Sequence, residues 1–445
     1  MSTGSTRHAE RDRSHAEGLW PIKVLVVDVE HLPSEISAAH PDGGRYEGLW
    51  ALVRRKEPPA ALLKLPFVNG HLTADELRGH IGRSANGSTD GVLETLEQSL
   101  PTISVIVPTM MKRLHHLYLT LESLEALEYP AYEILLVDNR ADGCKELPSW
   151  LDRFPGVRLL AEPRPGISAA RNCGLAAATG ELIAFTDDDV TVDPAWLRAI
   201  AQRFAAHPEE ACVTGFVLPR ELETPAQLRL EQYYGGFGPR LLAPVSHRLE
   251  PRGPGILPRP ALIVELDEAE RPLRTFSLYA AGSLGTGANM AFRAAALREV
   301  GGFDETLGTG MPSSGGDDLS MFVQLAWRGY SIGFEPAALV HHTHRRDDGS
   351  LRGQLEANGL GFTAMLVALA AQDRSHLGAM LATVPRAVRS LGLSYWQKLR
   401  PGSSKEQEVE DRSTIAGLAR VELSGMARGP AAYWRSRRLV KGLAS

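Results

Sequence analysis

Gly180-Glu-Leu-Ile-Ala-Phe-Thr-Asp-Asp-Asp189 decides how this 445-residue chain is read. The apolar run Leu182 to Phe185 has the length of a buried strand, and it ends in three consecutive carboxylates, Asp187, Asp188 and Asp189. Like charges crowded at the tip of a buried strand repel, so a cation is expected to offset them. A divalent ion with a diphosphate fits, because hard cations such as Mg²⁺ take one or two carboxylates plus phosphate oxygens. The alternative is a solvated acidic turn that caps a helix starting near Pro194.

The sequence on either side repeats one pattern. Ile103 to Val107 reads as a short apolar strand closed by Pro108, and Leu114, Leu117, Leu121, Leu124 and Leu127 form a helical stripe. Glu133 to Asp138 and Val157 to Leu160 are further strands, and Ile167 to Ala178 is an Ala-rich helix. Strands alternating with helices imply an α/β fold around a mostly parallel, buried sheet. In such sheets ligands bind beyond the carboxyl ends of the strands. Thr109, Asp138 and the Asp triplet are all expected there.

Composition narrows the class. A hydrophobic fraction of 43% with 23% charged residues is that of a globular protein, and a net charge of -5 argues against a general nucleic-acid binder. Three cysteines, Cys144, Cys173 and Cys212, have neither disulfide parity nor metal spacing. The first residues lack an apolar core, so no signal peptide is expected. No apolar run reaches the roughly eighteen residues of a membrane-crossing helix. Gly359 to Ala371 is too short and reads as a buried helix, so a cytoplasmic location is expected.

Five regions are expected: a disordered tail over 1–19, a small α+β module over 20–82, a linker over 83–100, the α/β domain over 101–348 and a helical C-terminal extension over 349–445. In the module, Lys23 to Asp28, Leu49 to Arg54 and Ala61 to Leu65 read as strands. Thr73-Ala-Asp-Glu76 reads as a capping box. After Pro219 the Pro/Gly-rich stretch is expected as a lid or acceptor-binding loop. Arg293 to Val300 and Asp318 to Arg328 are expected as helices, Tyr330 to Phe334 and Ala338 to His344 as strands.

Over residues 103 to about 345 the chain resembles family 2 nucleotide-sugar glycosyltransferases of the GT-A fold. The matching elements are Ser104-Val-Ile-Val-Pro-Thr109, Glu133-Ile-Leu-Leu-Val-Asp-Asn139 and Gly166-Ile-Ser-Ala-Ala-Arg-Asn-Cys-Gly174. Gly180 to Asp189, Gly287 to Arg293, Gly301-Gly-Phe-Asp304 and Gly316-Asp-Asp-Leu319 follow in family order. The resemblance implies that Pro108 and Thr109 line a nucleobase pocket and that Asp138 accepts from the base, against an Asx turn as the plain alternative. It equates the Asp triplet with the DXD element, one carboxylate touching ribose and another ligating Mg²⁺ or Mn²⁺. Asp189 ranks first for the metal, with Asp187 beside it. Asp318 is implied as general base, with Asp317 in place of the usual Glu. Both are also acids favoured at a helix start. In Val340-His-His-Thr-His344, His342 aligns with a histidine that completes the metal site in several GT-A enzymes. Arg171 either faces the crevice or lies on a solvated helix face.

The implied activity is inverting, metal-dependent sugar transfer from a UDP-, GDP- or dTDP-linked donor to an acceptor hydroxyl, lipid- or natural-product-linked. A nucleotidyltransferase would carry a Gly-rich phosphate loop where this chain has Pro108-Thr-Met-Met-Lys-Arg113. A non-catalytic sugar-nucleotide-binding module would have lost Asp318 or the triplet. At the C-terminus, Trp396, Trp434, Arg435, Arg437, Arg438 and Lys441 suit peripheral contact with an anionic membrane at its inner face, or a solvated helix packing its aromatics.

Overall fold

The structure, a computed structural model, describes residues 20–55, 59–84, 100–142, 146–250, 260–266, 274–399 and 406–443. The expected tail, nearly all of the expected linker, Cys144 and the side chain of Trp396 lie outside the described residues. The N-terminal part holds β1 (Ile22–Asp28), β2 (Glu35–Ser37), β3 (Gly48–Arg54), β4 (Pro59–Pro66), β5 (His71–Thr73) and α1 (Ala74–Ser84). Its main sheet has the order β1-β3-β4, and β2 pairs with β5. Thr73 and Glu76 exchange the side-chain-to-backbone bonds of the capping box at the start of α1.

Strand β3 is buried on both faces. Leu49, Ala51 and Val53 face Leu77 and Ile81 of α1. Leu52, pointing the other way, packs on Phe216, Leu218, Phe334 and Leu339 of the large sheet. The N-terminal part is therefore cemented to the back of the main domain, and Arg54 Nη1 reaches Asp193 Oδ2 at 2.7 Å.

The large sheet begins with β6 (Ile103–Thr109), α2 (Leu114–Glu125), β7 (Tyr132–Asp138), β8 (Val157–Ala161), α3 (Ile167–Ala177) and β9 (Leu182–Phe185). Then come β10 (Val190–Val192), α4 (Trp196–Ala206), β11 (Glu210–Pro219), α5 (Pro225–Tyr234), β12 (Val245–Leu249), β13 (Ala261–Leu266) and β14 (Arg274–Ser277). The domain closes with β15 (Met290–Arg293), α6 (Ala294–Glu299), α7 (Asp317–Trp327) and β16 (Ser331–His342). The strand order is β14-β13-β12-β16-β11-β15-β9-β6-β7-β8, with β10 pairing to β16. Alternate residues of the strands feed two cores. Val105 and Val107 meet Leu117, Leu121 and Trp196 on one side, while Ile106, Leu135 and Val137 meet Ala170 and Leu175 on the other. Helix α3 can approach because Gly174 lies against Ile106; a Cβ there would fall 2.5 Å from Ile106 Cγ2.

The α/β class follows the alternation of elements, but within the large sheet parallel pairing is confined to β9-β6-β7-β8 and to β11-β16. The other neighbours in that sheet are antiparallel, among them β15, which inserts between β9 and β11. The residues around Arg293, expected as the start of a helix, end this strand, and the helix is only α6.

The described part of the Pro/Gly-rich stretch is also a correction. It is not an extended loop: Thr224 and Gln227 form a capping box that starts α5, with Pro225 in its first turn and Gly235 in the left-handed conformation at its end. Strands β12, β13 and β14 then extend the sheet from β16. The two strands expected around residue 336 are one, β16, whose register against β11 jumps from Glu335 to Leu339. Pro336 has no N–H to offer the ladder, which suits a bulge there. Asn289 Nδ2 fills the gap by donating to Phe216 O and Ala338 O.

The helical extension comprises α8 (Asp348–Gln372), α9 (Ser375–Leu399) and α10 (Glu406–Leu443). Helix α8 braces the start of α7. A Cβ on its Gly361 would fall 2.6 Å from the Gly315 carbonyl carbon, so the two backbones touch. Ser313 N–H donates to Ser436 Oγ of α10.

Candidate active site

Three strand ends and one helix start converge. Thr109 closes β6, Asp138 closes β7, and the triplet Asp187–Asp189 fills the turn between β9 and β10. Asp317 and Asp318 open α7 behind Gly316. Beyond the bulge, β16 pairs with β10 so that His342 stands opposite Val190, the residue after Asp189. Thr343 N–H donates to Asp189 O at 3.0 Å, fixing that register.

Each carboxylate of the triplet has a different environment. Asp187 faces the crevice with its Oδ1 3.5 Å from Arg171 Nη2. Removal from bulk water pushes its carboxyl up to about 7, more than Arg171 can offset, and Asp189 and Asp188 add to the rise. Asp188 accepts a 2.7 Å hydrogen bond from Thr109 Oγ1. Burial and then the charge of Asp189 nevertheless raise its pKa. Asp189 Oδ2 accepts from Arg113 Nη1 at 2.5 Å, and its Oδ1 lies 3.6 Å from His342 Nε2. Burial pushes the Asp189 carboxyl up, but His342, Arg113 and Arg345 together hold it below the usual range. Burial also lowers His342 to about 4, so at neutral pH the arginines do this work.

These residues fit a cation. Asp189 Oδ1 and His342 Nε2 face each other at a distance too long for a hydrogen bond, as two ligand atoms around an ion do. Two carboxyls of the triplet have raised pKa values, because burial first, and then the neighbouring carboxylates, outweigh the arginines. The triplet is not a closed cage. Among the described residues the set of three ligand atoms already grouped is His207, Glu209 and Glu210. There Glu210 is neutralised by Arg203.

The second acidic pair is tied to the first through Arg171. Its Nη1 donates to Asp317 Oδ2 and its Nη2 to Gly287 O, and the side chain is buried. Asp318 Oδ2 accepts from Gly287 N–H at 2.7 Å and Oδ1 from Leu319 N–H at 2.8 Å. Burial first, then the adjacent Asp317, raise the Asp318 pKa against these bonds and Arg171.

On the expected nucleobase side, Pro108 is buried within β6 beside Val137. Asp138 is fully buried and makes the Asx turn, accepting from Arg140 N–H, while the Arg140 guanidinium forks onto both carboxylate oxygens. Arg113, Glu231 and His344 were not anticipated by the sequence as parts of the site. Arg113 lies in the turn after β6, and its partner Asp189 is 76 residues further along the chain.

Residues 104–301 match the family model described as Glycosyl transferase family 2. The chain is similar to the Pre-mycofactocin glycosyltransferase of Mycobacterium tuberculosis, 29% identical over 213 residues, which cover 48% of this chain and 37% of that protein. It is also similar to the Glucosyl-dolichyl phosphate glucuronosyltransferase of Haloferax volcanii, 25% identical over 209 residues, covering 46% of this chain and 57% of the relative. The chain thus spans between about a third and just over half of the length of these curated relatives. Among solved structures, the mannosyltransferase PcManGT from Pyrobaculum calidifontis, in complex with GDP-Man and Mn2+, is 15% identical with a TM-score of 0.44, covering 76% of this chain and 91% of that one. The family match spans the strands and turns that bring the acidic triplet onto Arg171, and over residues 104–301 the chain is therefore similar to glycosyl transferase family 2.

Proposed function

We propose that the protein is an inverting, divalent-metal-dependent glycosyltransferase that moves a sugar from a UDP-, GDP- or dTDP-linked donor to an acceptor hydroxyl. The observation that carries this is the meeting of two acidic clusters, Asp187–Asp189 and Asp317–Asp318, on the one buried guanidinium of Arg171. Asp189, through Oδ1, and His342, through Nε2, would hold Mg²⁺ or Mn²⁺, with Asp187 as a further ligand. The ion, when bound, is a Lewis acid for the charge that develops on the departing diphosphate. Asp188 is kept in place by Thr109 for the ribose hydroxyls, and Pro108 and Asp138 border the base.

Asp318 is the general base. Its carboxylate is aimed by two backbone N–H groups, and its raised pKa suits proton capture. It takes the acceptor hydroxyl proton as that oxygen bonds to the anomeric carbon. The bond from that carbon to the diphosphate breaks on the opposite face, and the nucleoside diphosphate leaves. Asp317, engaged by Arg171, keeps the pair in register.

The acceptor we propose is a lipid- or natural-product-linked alcohol; the two relatives are named for glucosyl-dolichyl phosphate and pre-mycofactocin. Peripheral membrane contact belongs to the same proposal. Trp434, Arg435, Arg438 and Lys441 are exposed on α10, whereas Tyr433 and Ser436 pack inward. Cosedimentation with anionic liposomes at low salt tests it, and its absence removes the membrane from the account.

The test of the activity is release of free nucleoside diphosphate from a panel of nucleotide sugars with Mn²⁺, with Asp318→Asn alongside. Turnover of one donor, lost in the variant, is expected. If UDP, GDP and dTDP all fail to bind in calorimetry with Mn²⁺ present, the roles given to the triplet are wrong.

A further inference from the structure

Behind His342 lies a buried chain of groups that the transfer itself does not use. His342 Nδ1 and His344 Nδ1 are 3.1 Å apart, and His344 Nε2 is 2.7 Å from Glu231 Oε1. Glu231 is on α5, and Arg240 Nη2 donates to the same oxygen at 2.7 Å. Phe237 covers both rings, with centroid distances of 4.4 Å to His342 and 5.2 Å to His344. Arg240 in turn stacks over Trp50 of β3, 5.4 Å from the ring centroid. All three polar side chains, Glu231, His344 and His342, are buried.

The hydrogen bonds dictate where the protons sit. An ionised carboxylate only accepts, so Glu231 requires a hydrogen on His344 Nε2. In the neutral ring this leaves His344 Nδ1 as an acceptor. The short contact between the two Nδ1 atoms then needs a hydrogen on His342 Nδ1. A neutral imidazole carries one hydrogen, so His342 Nε2 is bare and presents its lone pair toward Asp189 Oδ1. Two acceptors face each other there, which an ion satisfies and a proton shared at 3.6 Å does not.

We propose that Glu231 and His344 are positioning residues that lock His342 in the Nδ1–H tautomer and so aim its Nε2 lone pair at the cation site beside Asp189. The proposal rests on the metal role given above to Asp189 and His342. Outer partners of a metal-bound histidine fix its ring and tautomer, and their loss typically weakens metal binding about 10- to 100-fold. The chain of contacts also assigns a task to the N-terminal part, whose Trp50 backs Arg240.

The test uses the full chain, selectively ¹⁵N-labelled at histidine, with His342→Ala to assign the signal. In the metal-free wild type, His342 is expected to show a protonated Nδ1 and a bare Nε2. Glu231→Met, which removes the acceptor, is expected to shift His342 toward the Nε2–H form and to weaken Mn²⁺ binding about 10- to 100-fold by calorimetry. Glu231→Gln, which keeps an acceptor oxygen, is expected to restore the tautomer and most of the affinity. If Glu231→Met does not fold, His344→Phe keeps a ring against Phe237 and removes the Nδ1 acceptor that faces His342 Nδ1, with the same result expected. A wild-type His342 protonated on Nε2 overturns the relay, and so does a folded Glu231→Met or His344→Phe protein with unchanged tautomer and Mn²⁺ affinity. The metal role fails separately if Asp189→Asn and His342→Ala leave Mn²⁺ binding unchanged. The tautomer of the metal-free protein still decides the relay in that case.

Discussion

Arg171 on α3 donates through Nη1 to Asp317 on α7, a residue 146 positions further along the chain. Both side chains are under a tenth exposed. Removing one partner of such a pair strands the other, at a cost of about 3–5 kcal/mol. Arg171→Met is therefore expected to lower the urea midpoint strongly, since Asp187 also loses its nearest cation. In a double-mutant cycle, adding Asp317→Asn is expected to recover part of the loss. Strictly additive losses would mean the two side chains are not coupled.

Asp318→Asn removes the base and keeps the shape. The transfer rate is expected to fall about 10²- to 10⁴-fold with donor binding retained. In the wild type the rate should climb as pH rises through the raised Asp318 pKa, because only the carboxylate accepts a proton, and then level off. The variant should lose that limb. A rate with the same pH profile in Asp318→Asn would assign proton transfer elsewhere.

Asp187 carries the opposite relation between function and stability. Its folded pKa of about 7 lies above the ordinary 3.8, so the native state holds the extra proton between these values. Its contribution is favourable at low pH and is lost as pH rises through about 7, where the crevice must hold the charge without an ion. Without metal, Asp187→Asn is expected to melt higher than wild type at pH 8, by a margin that shrinks toward pH 5. The same variant should bind Mn²⁺ and donor more weakly. A variant that melts lower at pH 8 would mean that attraction to Arg171 outweighs desolvation.

What the sequence made legible was local. The triplet, the strand before it and the acids at the start of α7 are neighbours in the chain, and apolar periodicity alone placed Thr109 and Asp138 at strand ends. Contacts that depend on register were invisible. Arg113 meets Asp189 because β6 and β9 are adjacent, and His342, expected at the metal site from the resemblance alone, meets Asp189 because β16 pairs with β10 beyond its bulge against β11. Glu231 lies where glycine and proline suggested a loop, and only the caps Thr224 and Gly235 mark that helix. Arg293 reads as the start of a helix because the alanines of α6 follow it, and it instead ends β15, whose strand state comes from the slot between β9 and β11.

Leu52 tests whether the N-terminal part folds with the main domain. Its side chain leaves β3 on the face away from α1 and fills a core made of Phe216, Leu218, Val245, Phe334 and Leu339. Truncation of a fully buried leucine costs about 2–5 kcal/mol, according to how far the site collapses. Here three sheet strands and β3 wall the cavity, so little collapse is expected and the loss should be felt by the whole molecule. Leu52→Ala is expected to shift a single urea transition to lower concentration, followed by tryptophan fluorescence and by circular dichroism together. Val68→Ala, at an exposed position, should change the midpoint by no more than about 0.5 kcal/mol equivalent. Two separated transitions, with only the first moved by Leu52→Ala, would mean that the N-terminal part unfolds alone. The same outcome would also sever the path from Trp50 through Arg240 to Glu231, since that path needs β3 docked.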